Sequence, residues 1–137
     1  MNSISSNKSS NLSGKMMIPA DKSISHRALI IGSIVTGKIT INNLLESEDV
    51  LATANALKEL GVSVNKKSEN KWEVHGNGIG SLFGSGHTLE MGNSGTGARL
   101  LMGLVAGSDI EATFIGDDSL SKRPMKRIIL PLSKTGA

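Results

Sequence analysis

Apolar residues recur at helical spacing most clearly in the stretch SEDVLATANALKELG, residues 47–61. The spacing predicts a helix whose buried face holds Val50, Ala54, Leu57 and Leu60. Ser47 suits the N-cap of this helix, and Gly61 suits the position just beyond its C-terminus. The acidic residues that follow Ser47 lie where they favour the helix dipole.

Three further stretches predict helices. The first starts at Ser23 as N-cap and is expected to bury Ile24, Ala28, Ile31 and Val35. The second runs from Ser94 to Ala106, and the third is MKRIILPLSKTG, where Pro131 disturbs the pattern.

Alternating or β-branched runs between these helices predict strands. The runs are KMMI (Lys15–Ile18), KITIN (38–42), VSVNKK (62–67), KWEVHG (71–76), HTLEMG (87–92) and IEATFIG (110–116). A polar turn at 68–70 joins the third and fourth runs, the glycine-rich segment 76–86 is expected to be irregular, and DDSLSKRP (117–124) is expected to be a loop.

The order of these elements contains an internal repeat. RALIIGSIVTGKITIN and RLLMGLVAGSDIEATFIG both run from an arginine through an apolar helix and a glycine-containing turn into a strand. Each copy continues into a helix that ends near a glycine, at Gly61 and at Gly136. The pattern predicts a layered α/β fold that uses one supersecondary unit more than once, with one complete unit and the start of a second.

Composition narrows the classes of function. The chain has 137 residues, a net charge of +3, no cysteine, and only Trp72, Phe83 and Phe114 as aromatic residues. Disulfides, thiolate metal sites and cysteine nucleophiles are excluded, and the absence of cysteine fits the cytoplasm. No stacking platform for nucleic acid and no run long enough to span a membrane is evident, so neither partner is expected. Residues 1–13 are rich in serine and asparagine and are expected to form a disordered tail before a domain at 14–137.

The chemistry is expected at the two equivalent helix starts, DKSISHR and GNSGTGAR. A helix N-terminus offers unpaired N–H groups and partial positive charge, and glycine lets an anion approach the backbone. Lys22 and Arg27 add charge at the first start, and a basic cluster, SKRPMKR, follows the second. The residues therefore predict a pocket for one or two small anions.

Each feature also has a simpler interpretation. A glycine-rich helix start can be only a tight turn, and this one is neither a dinucleotide fingerprint nor a P-loop. Lys22, Arg27 and the basic cluster could be solvated surface charges, and Asp117 and Asp118 could be loop residues or ion-pair partners. His26 suits a packing or capping role, Asp21 suits a cap, and no spacing of histidines and carboxylates suggests a metal.

Three segments taken together resemble one family. PADKSISHRALIIGSI, GNSGTGARLLMGL and FIGDDSLSKRPM are similar to signature segments of 5-enolpyruvylshikimate-3-phosphate synthases (3-phosphoshikimate 1-carboxyvinyltransferases). The resemblance extends from about Gly14 to the end of the chain. It implies an inside-out α/β barrel built from repeated βαβαββ units, of which this chain holds an incomplete N-terminal part. The segment Lys15–Ile18 would by analogy belong with the other lobe.

The resemblance also implies a reaction without a cofactor. The family transfers the enolpyruvyl group of phosphoenolpyruvate to the 5-hydroxyl of shikimate 3-phosphate and releases phosphate, on the route to chorismate and aromatic amino acids. Lys22 matches the lysine that touches both substrates and is the candidate catalytic residue. The positions that match binding of shikimate 3-phosphate are Ser23 and Arg27, and those that match binding of phosphoenolpyruvate are Asn93, Gly95, Thr96 and Arg123. Glyphosate-tolerant members often carry alanine at the position of Gly95, so this glycine implies sensitivity to glyphosate.

Two alternatives remain open beside this reading. Family members are much longer than this chain, and no residue here matches the family's acid–base groups, so the chain is expected to be inactive without a C-terminal remainder. It could instead be a non-catalytic anion-binding module or one piece of a split enzyme. The sister family that acts on UDP-N-acetylglucosamine is less similar, because it typically has asparagine where this chain has Ser23.

Overall fold

The computed structural model describes residues 3–83 and 86–137 of the chain. In chain order the elements are α1 (Lys22–Ile34), β1 (Thr36–Asn42), α2 (Glu48–Glu59), β2 (Ser63–Ser68), β3 (Lys71–Asn77), β4 (His87–Glu90), α3 (Gly95–Ala106), β5 (Ala112–Ile115), α4 (Asp118–Ser121) and α5 (Lys126–Ser133). The helix–strand–helix order α1–β1–α2 recurs as α3–β5–α5, with the short α4 inserted in the second copy. This recurrence confirms the internal repeat.

The first half of the chain forms a three-stranded antiparallel sheet in the order β1-β3-β2. Ile39 and Val64 lie on either side of Val74 on the central strand β3. Asn70 takes a positive φ of 53° in the turn between β2 and β3, a conformation that asparagine tolerates better than most residues. Helices α1 and α2 both contact this sheet, which makes a two-layer α/β unit.

The second half forms a two-stranded parallel sheet from β4 and β5. Leu89 lies beside Phe114, and α3 connects the two strands, as a parallel pair requires. Helix α5 packs on α3, and α3 also contacts α1 and α2. The start of α3 is therefore held against the helices of the first half.

The core runs through both halves without a break. The predicted buried face of α2 is confirmed, since Val50, Ala54, Leu57 and Leu60 are all buried. They share one hydrophobic cluster with Leu29 of α1 and Leu101 of α3. Gly61 follows α2 with a φ of 83°, which confirms the predicted end of that helix.

The predicted buried face of α1 is wrong. Ile24 and Ile31 are 60% and 56% exposed, while the buried face is made of Ser25, His26, Leu29, Gly32 and Ser33. The reason is a close approach between helix and sheet, because a Cβ on Gly32 would lie 3.3 Å from the Cβ of Val74. Small residues are needed where the backbones come this close, and the larger apolar residues take the outer face.

Three other expectations need correction. Lys15–Ile18 is not a strand but an exposed segment without regular secondary structure, and it has no pairing partner in the part of the chain that the structure describes. Ser23 is not the N-cap of α1, because the helix already begins at Lys22 and Asp21 caps it. The expected loop after β5 contains the one-turn helix α4, with Asp117 as its cap.

The remaining elements agree with the sequence pattern within a few residues. Residues 3–13 of the expected tail are exposed and have no regular secondary structure. Residues 1–2 of that tail and residues 84–85 of the glycine-rich segment lie outside the described residues.

Candidate functional site

The start of α1 presents charged side chains. The Asp21 carboxylate accepts a hydrogen bond of 2.6 Å from the Ile24 backbone N–H, which satisfies one of the free donors of the first turn. Lys22 is the first helical residue, and its half-exposed ammonium forms an ion pair with Asp49 of α2. The cation is therefore held at the helix start by a neighbouring helix.

Ser23 and Arg27 lie on the same two turns and are exposed. Within residues 3–83 and 86–137, neither side chain has a hydrogen bond or an ion pair. The hydroxyl and the guanidinium are consequently available to an outside group without breaking an internal bond.

The start of α3 differs from that of α1, because its first turn is formed by glycines and a serine rather than by charged side chains. Gly92 turns the chain with a φ of 52°, and the Ser94 hydroxyl caps the helix by accepting a hydrogen bond of 3.2 Å from the Gly97 N–H. Ser94, Gly95 and Gly97 are buried, while Thr96 is exposed between the two glycines. The first turn is thus packed closely against the rest of the chain.

Two guanidinium groups flank the backbone of Gly95. The Arg99 Nη1 donates a hydrogen bond of 3.1 Å to the Gly95 carbonyl. A Cβ added to Gly95 would lie 2.7 Å from the Arg123 Nη1 and 3.0 Å from the Arg99 Nη1. The ends of these two flexible side chains, rather than an unusual φ, limit the space for a larger residue at Gly95.

A chain of hydrogen bonds holds Arg123 in this place. Arg123 donates to the Asn93 side-chain oxygen, and the Asn93 amide donates a bond of 2.7 Å to the Asp117 carboxylate. Asp117 also accepts a bond of 2.7 Å from the Leu120 N–H and so caps α4. The hydrogen bond from Asn93, followed by that from Leu120, lowers the pKa of Asp117, with Arg123 adding a smaller effect. Asp117 is therefore ionised at neutral pH and anchors the loop that carries Arg123.

Helix α2 links the two helix starts. His26 of α1 and Thr53 of α2 are fully buried, and the His26 Nδ1 and Thr53 Oγ1 are 2.8 Å apart. Burial lowers the pKa of His26, the Lys22 cation lowers it further, and Asp49 opposes the shift. His26 is therefore a neutral packing residue at pH 7, in agreement with the packing role expected from sequence.

The predicted site residues lie at two places, the start of α1 and the start of α3. Asn93, Gly95 and Arg123 are in direct contact. Lys22 is connected to α2 through Asp49, whereas Ser23, Arg27 and Thr96 are placed on the same helix starts without a contact of their own.

Sequence reasoning assigned no site role to four residues that support these two helix starts, namely Asp49, Thr53, Arg99 and Asp117. The signal for Asp117 was present, because an aspartate followed by another acid is typical of a helix start. No local pattern marks Thr53, because its partners lie on two other helices.

Two grooves lie away from this site. One of about 830 Å³ is lined by α3, β5 and α5, and one of about 380 Å³ lies between α3 and α4. Neither includes Lys22, Gly95 or Arg123.

Two negative findings apply to the described parts of the chain, 3–83 and 86–137. They contain no group of three or more histidine, aspartate or glutamate side chains that could hold a metal ion. None of their helices has the length and apolar character needed to cross a membrane.

The sequence matches the family model described as EPSP synthase (3-phosphoshikimate 1-carboxyvinyltransferase) over residues 6–137. A 3-phosphoshikimate 1-carboxyvinyltransferase of Parvibaculum lavamentivorans is 55% identical over 98% of this chain and 30% of the relative. A protein of the same name from Zymomonas mobilis is 54% identical over 96% of this chain and 29% of the relative. The chain thus spans about 30% of the length of the curated relatives that it matches.

A solved structure of EPSP synthase from Acinetobacter baumannii shares the fold. It superposes with a TM-score of 0.85 at 43% identity and covers 90% of this chain and 28% of the Acinetobacter chain. The fold of the described elements is therefore that of one part of a larger molecule.

Proposed function

Because this chain belongs to the EPSP synthase family, we propose that its two helix starts bind the substrates of enolpyruvyl transfer. In this reaction the enolpyruvyl group of phosphoenolpyruvate passes to the 5-hydroxyl of shikimate 3-phosphate, and phosphate leaves. The observation that carries the proposal is the pair of guanidinium groups of Arg99 and Arg123 beside the buried backbone of Gly95. Two guanidinium groups beside a helix N-terminus suit a small anion of high charge.

The start of α3 is the proposed site for phosphoenolpyruvate. Arg123 offers a planar fork of donors that suits a carboxylate or a phosphate. The Asn93 side chain and the exposed Thr96 lie beside it and can share the remaining oxygens. Glycine at position 95 adds no side chain of its own to the space beside the two guanidinium groups.

The start of α1 is the proposed site for shikimate 3-phosphate. Ser23 and Arg27 have side chains that are exposed and unbonded within the described residues, so an incoming polyol phosphate displaces only water. Lys22 is the proposed contact to both substrates and the candidate catalytic residue. Its ammonium stabilises negative charge that develops on the reacting groups, and Asp49 holds it in place until the substrates bind.

The reaction also needs groups that move protons. A C–O bond forms between the 5-hydroxyl and the enolpyruvyl carbon, the C–O bond to phosphate breaks, and the hydroxyl proton must be accepted. Near the two helix starts, Asp49 is paired with Lys22, Asp117 is engaged as a cap, and His26 is buried. We therefore propose that this chain binds substrates but is inactive until the remainder of the enzyme supplies the acid–base groups.

Phosphate release with both substrates present tests this proposal. The purified chain at high concentration is expected to release no phosphate. A chimera that joins this chain to the part of the Parvibaculum relative that it does not cover is expected to release phosphate, with the intact relative as the positive control. A folded but inactive chimera would contradict the assignment of the substrate sites, and release by the chain alone would contradict the proposed inactivity.

A further inference from the structure

The Thr53 hydroxyl lies at the point where three helices meet. Its oxygen is 2.8 Å from the His26 Nδ1 of α1 and 3.4 Å from the Asp49 backbone carbonyl, one turn earlier in α2. A Cβ added to Gly97 of α3 would lie 2.5 Å from the same oxygen. One hydroxyl therefore touches or closely faces all three helices.

The hydrogen bonds at this junction have a definite direction. If the Thr53 O–H donates to the Asp49 carbonyl, the His26 Nδ1–H must donate to Thr53. The His26 Nε2, which is buried with no partner among the described residues, then carries only a lone pair. The opposite tautomer would leave a buried N–H donor unpaired, which costs more than an unpaired acceptor. The favoured chain runs from α1 through Thr53 into the backbone of α2.

The contact with α3 is made by close packing. Gly97 is buried, and a Cβ at this position would lie 2.5 Å from the Thr53 oxygen and 2.6 Å from the Ser94 oxygen, which is too close for any larger residue. Gly97 lies in the first turn of α3, two residues after Gly95, and its N–H is the donor that the Ser94 cap binds. Thr53 therefore sets how deeply the start of α3 sits against α2.

The same face of α2 also holds the start of α1. Asp49 lies four residues before Thr53, so both point to one side of the helix, and the Asp49 carboxylate pairs with Lys22. The His26 bond fixes α1 one turn further along. The contacts of α2 with α1 and α3 consequently determine the position of Lys22 relative to Gly95.

We propose that Thr53 is a positioning residue that fixes the separation between the helix start carrying Lys22 and the helix start carrying Gly95. The proposal rests on the proposed function, in that these two starts bind the two substrates. Thr53 touches neither substrate and acts through His26 and Gly97. The hydroxyl is the group that makes these contacts. Valine has nearly the same shape as threonine but lacks the oxygen, so Thr53→Val isolates the role of the hydroxyl.

The separation can be measured directly by spin labelling. The chain has no cysteine, so Ile24→Cys and Leu100→Cys place one label on α1 and one on α3, at positions that are 60% and 38% exposed. The distance distribution between the labels is recorded by electron paramagnetic resonance. Phosphoenolpyruvate binding is measured on the same proteins without labels.

Four variants separate positioning from general destabilisation. Thr53→Val removes the hydroxyl, and Thr53→Ser restores it with a smaller side chain. Ala56→Gly, at a buried position of the same helix, weakens α2 through helix propensity but leaves the Thr53 contacts intact. His26→Leu breaks the same bond from the α1 side and serves as the second test if Thr53→Val does not fold.

Thr53→Val is expected to shift or broaden the label distance and to weaken phosphoenolpyruvate binding about tenfold, the loss typical of one hydrogen bond. Thr53→Ser and Ala56→Gly are expected to keep the distance of the unsubstituted chain. An unchanged distance in Thr53→Val, or an equal change in Ala56→Gly, would overturn the proposal. If the unsubstituted chain does not bind phosphoenolpyruvate, the proposed function fails, while the label distance still decides the role of Thr53.

Discussion

The starts of α1 and α3 occupy equivalent places in the repeat but are built differently. At α1 an exposed aspartate caps the helix, and the exposed side chains of Lys22, Ser23 and Arg27 project from the first two turns. At α3 a buried serine caps the helix, two buried glycines form the first turn, and the charge comes from Arg99 and from Arg123 beyond the next strand.

This difference separates two ways of binding an anion. The α1 start offers flexible side chains that can follow the shape of a larger ligand. The α3 start offers closely packed backbone and two guanidinium groups that are hydrogen-bonded within the chain, which suit a small and highly charged ligand. Equivalent positions of the repeat thus differ in character, which supports the proposed division between shikimate 3-phosphate and phosphoenolpyruvate.

The largest expected effect is the loss of Arg123. Arg123→Ala removes one of the two cations beside Gly95 and is expected to weaken phosphoenolpyruvate binding roughly 10- to 100-fold, the range for a hydrogen bond to a charged group. Binding is measured by isothermal titration calorimetry. Arg127→Ala is the matched control, since Arg127 is also exposed but lies on α5 outside the proposed site. Equal losses in both variants would mean that only net charge matters and that the α3 start is not a specific site.

Loss of Lys22 is expected to affect both ligands. Lys22→Ala should weaken the binding of phosphoenolpyruvate and of shikimate 3-phosphate by about tenfold each. Lys38→Ala is the matched control, because Lys38 forms a similar half-exposed ion pair with Glu73 at 3.5 Å on the outer strand β1. Exposed pairs of this kind contribute about 0–1 kcal/mol, so neither variant should change the free energy of unfolding by more than that. A loss confined to one ligand would contradict the proposed contact of Lys22 with both substrates.

A methyl group at Gly95 tests how tightly the α3 start is packed. In Gly95→Ala the new Cβ meets the ends of two flexible arginine side chains, which can move apart. Phosphoenolpyruvate binding is therefore expected to weaken only a few-fold, about 0.5–1 kcal/mol, while the larger inhibitor glyphosate loses more. The two affinities are compared by competition titration.

Gly103→Ala is the control for this glycine, because it lies on the same helix with no atom within 4 Å of its added Cβ. It should leave both affinities unchanged and raise stability by about 0.5–1 kcal/mol through helix propensity. Equal losses for phosphoenolpyruvate and glyphosate in Gly95→Ala would refute the crowding account.

The smallest expected effect is a pH dependence from His26. Its pKa in the folded chain lies below the usual value of 6.5, chiefly because it is buried. As the pH falls through 6.5 the unfolded chain takes up the proton first, so the free energy of unfolding should decrease between pH 7 and pH 5. Urea unfolding at several pH values measures this. His26→Gln should show a flatter dependence, and an identical slope in both proteins would contradict a neutral buried His26.

Sequence patterns predicted the elements of the fold well where one face is apolar. Helix α2 followed its periodicity because its large apolar residues are the ones that pack. Helix α1 did not, because the close approach at Gly32 selects small residues for the buried side. Lys15–Ile18 has the composition of a strand, but a strand also needs a pairing partner, which composition does not reveal.

The site was predictable in its residue types but not in its internal contacts. The glycines and the basic residues at the two helix starts are visible in the sequence as an anion-binding pattern. The bonds from Asp117 through Asn93 to Arg123 join two loops, and the contacts of Thr53 join three helices. Such contacts depend on tertiary packing and leave no periodic signal.

The most direct test of the two-site account is a titration of the isotope-labelled chain by ¹H–¹⁵N NMR, first with phosphoenolpyruvate and then with shikimate 3-phosphate. Phosphoenolpyruvate is expected to shift the amide signals of Gly95, Thr96 and Arg123. Shikimate 3-phosphate is expected to shift those of Ser23 and Arg27. If both ligands shift the same set of signals, or shift only signals of the groove between α3 and α5, the assignment of one substrate to each helix start is wrong.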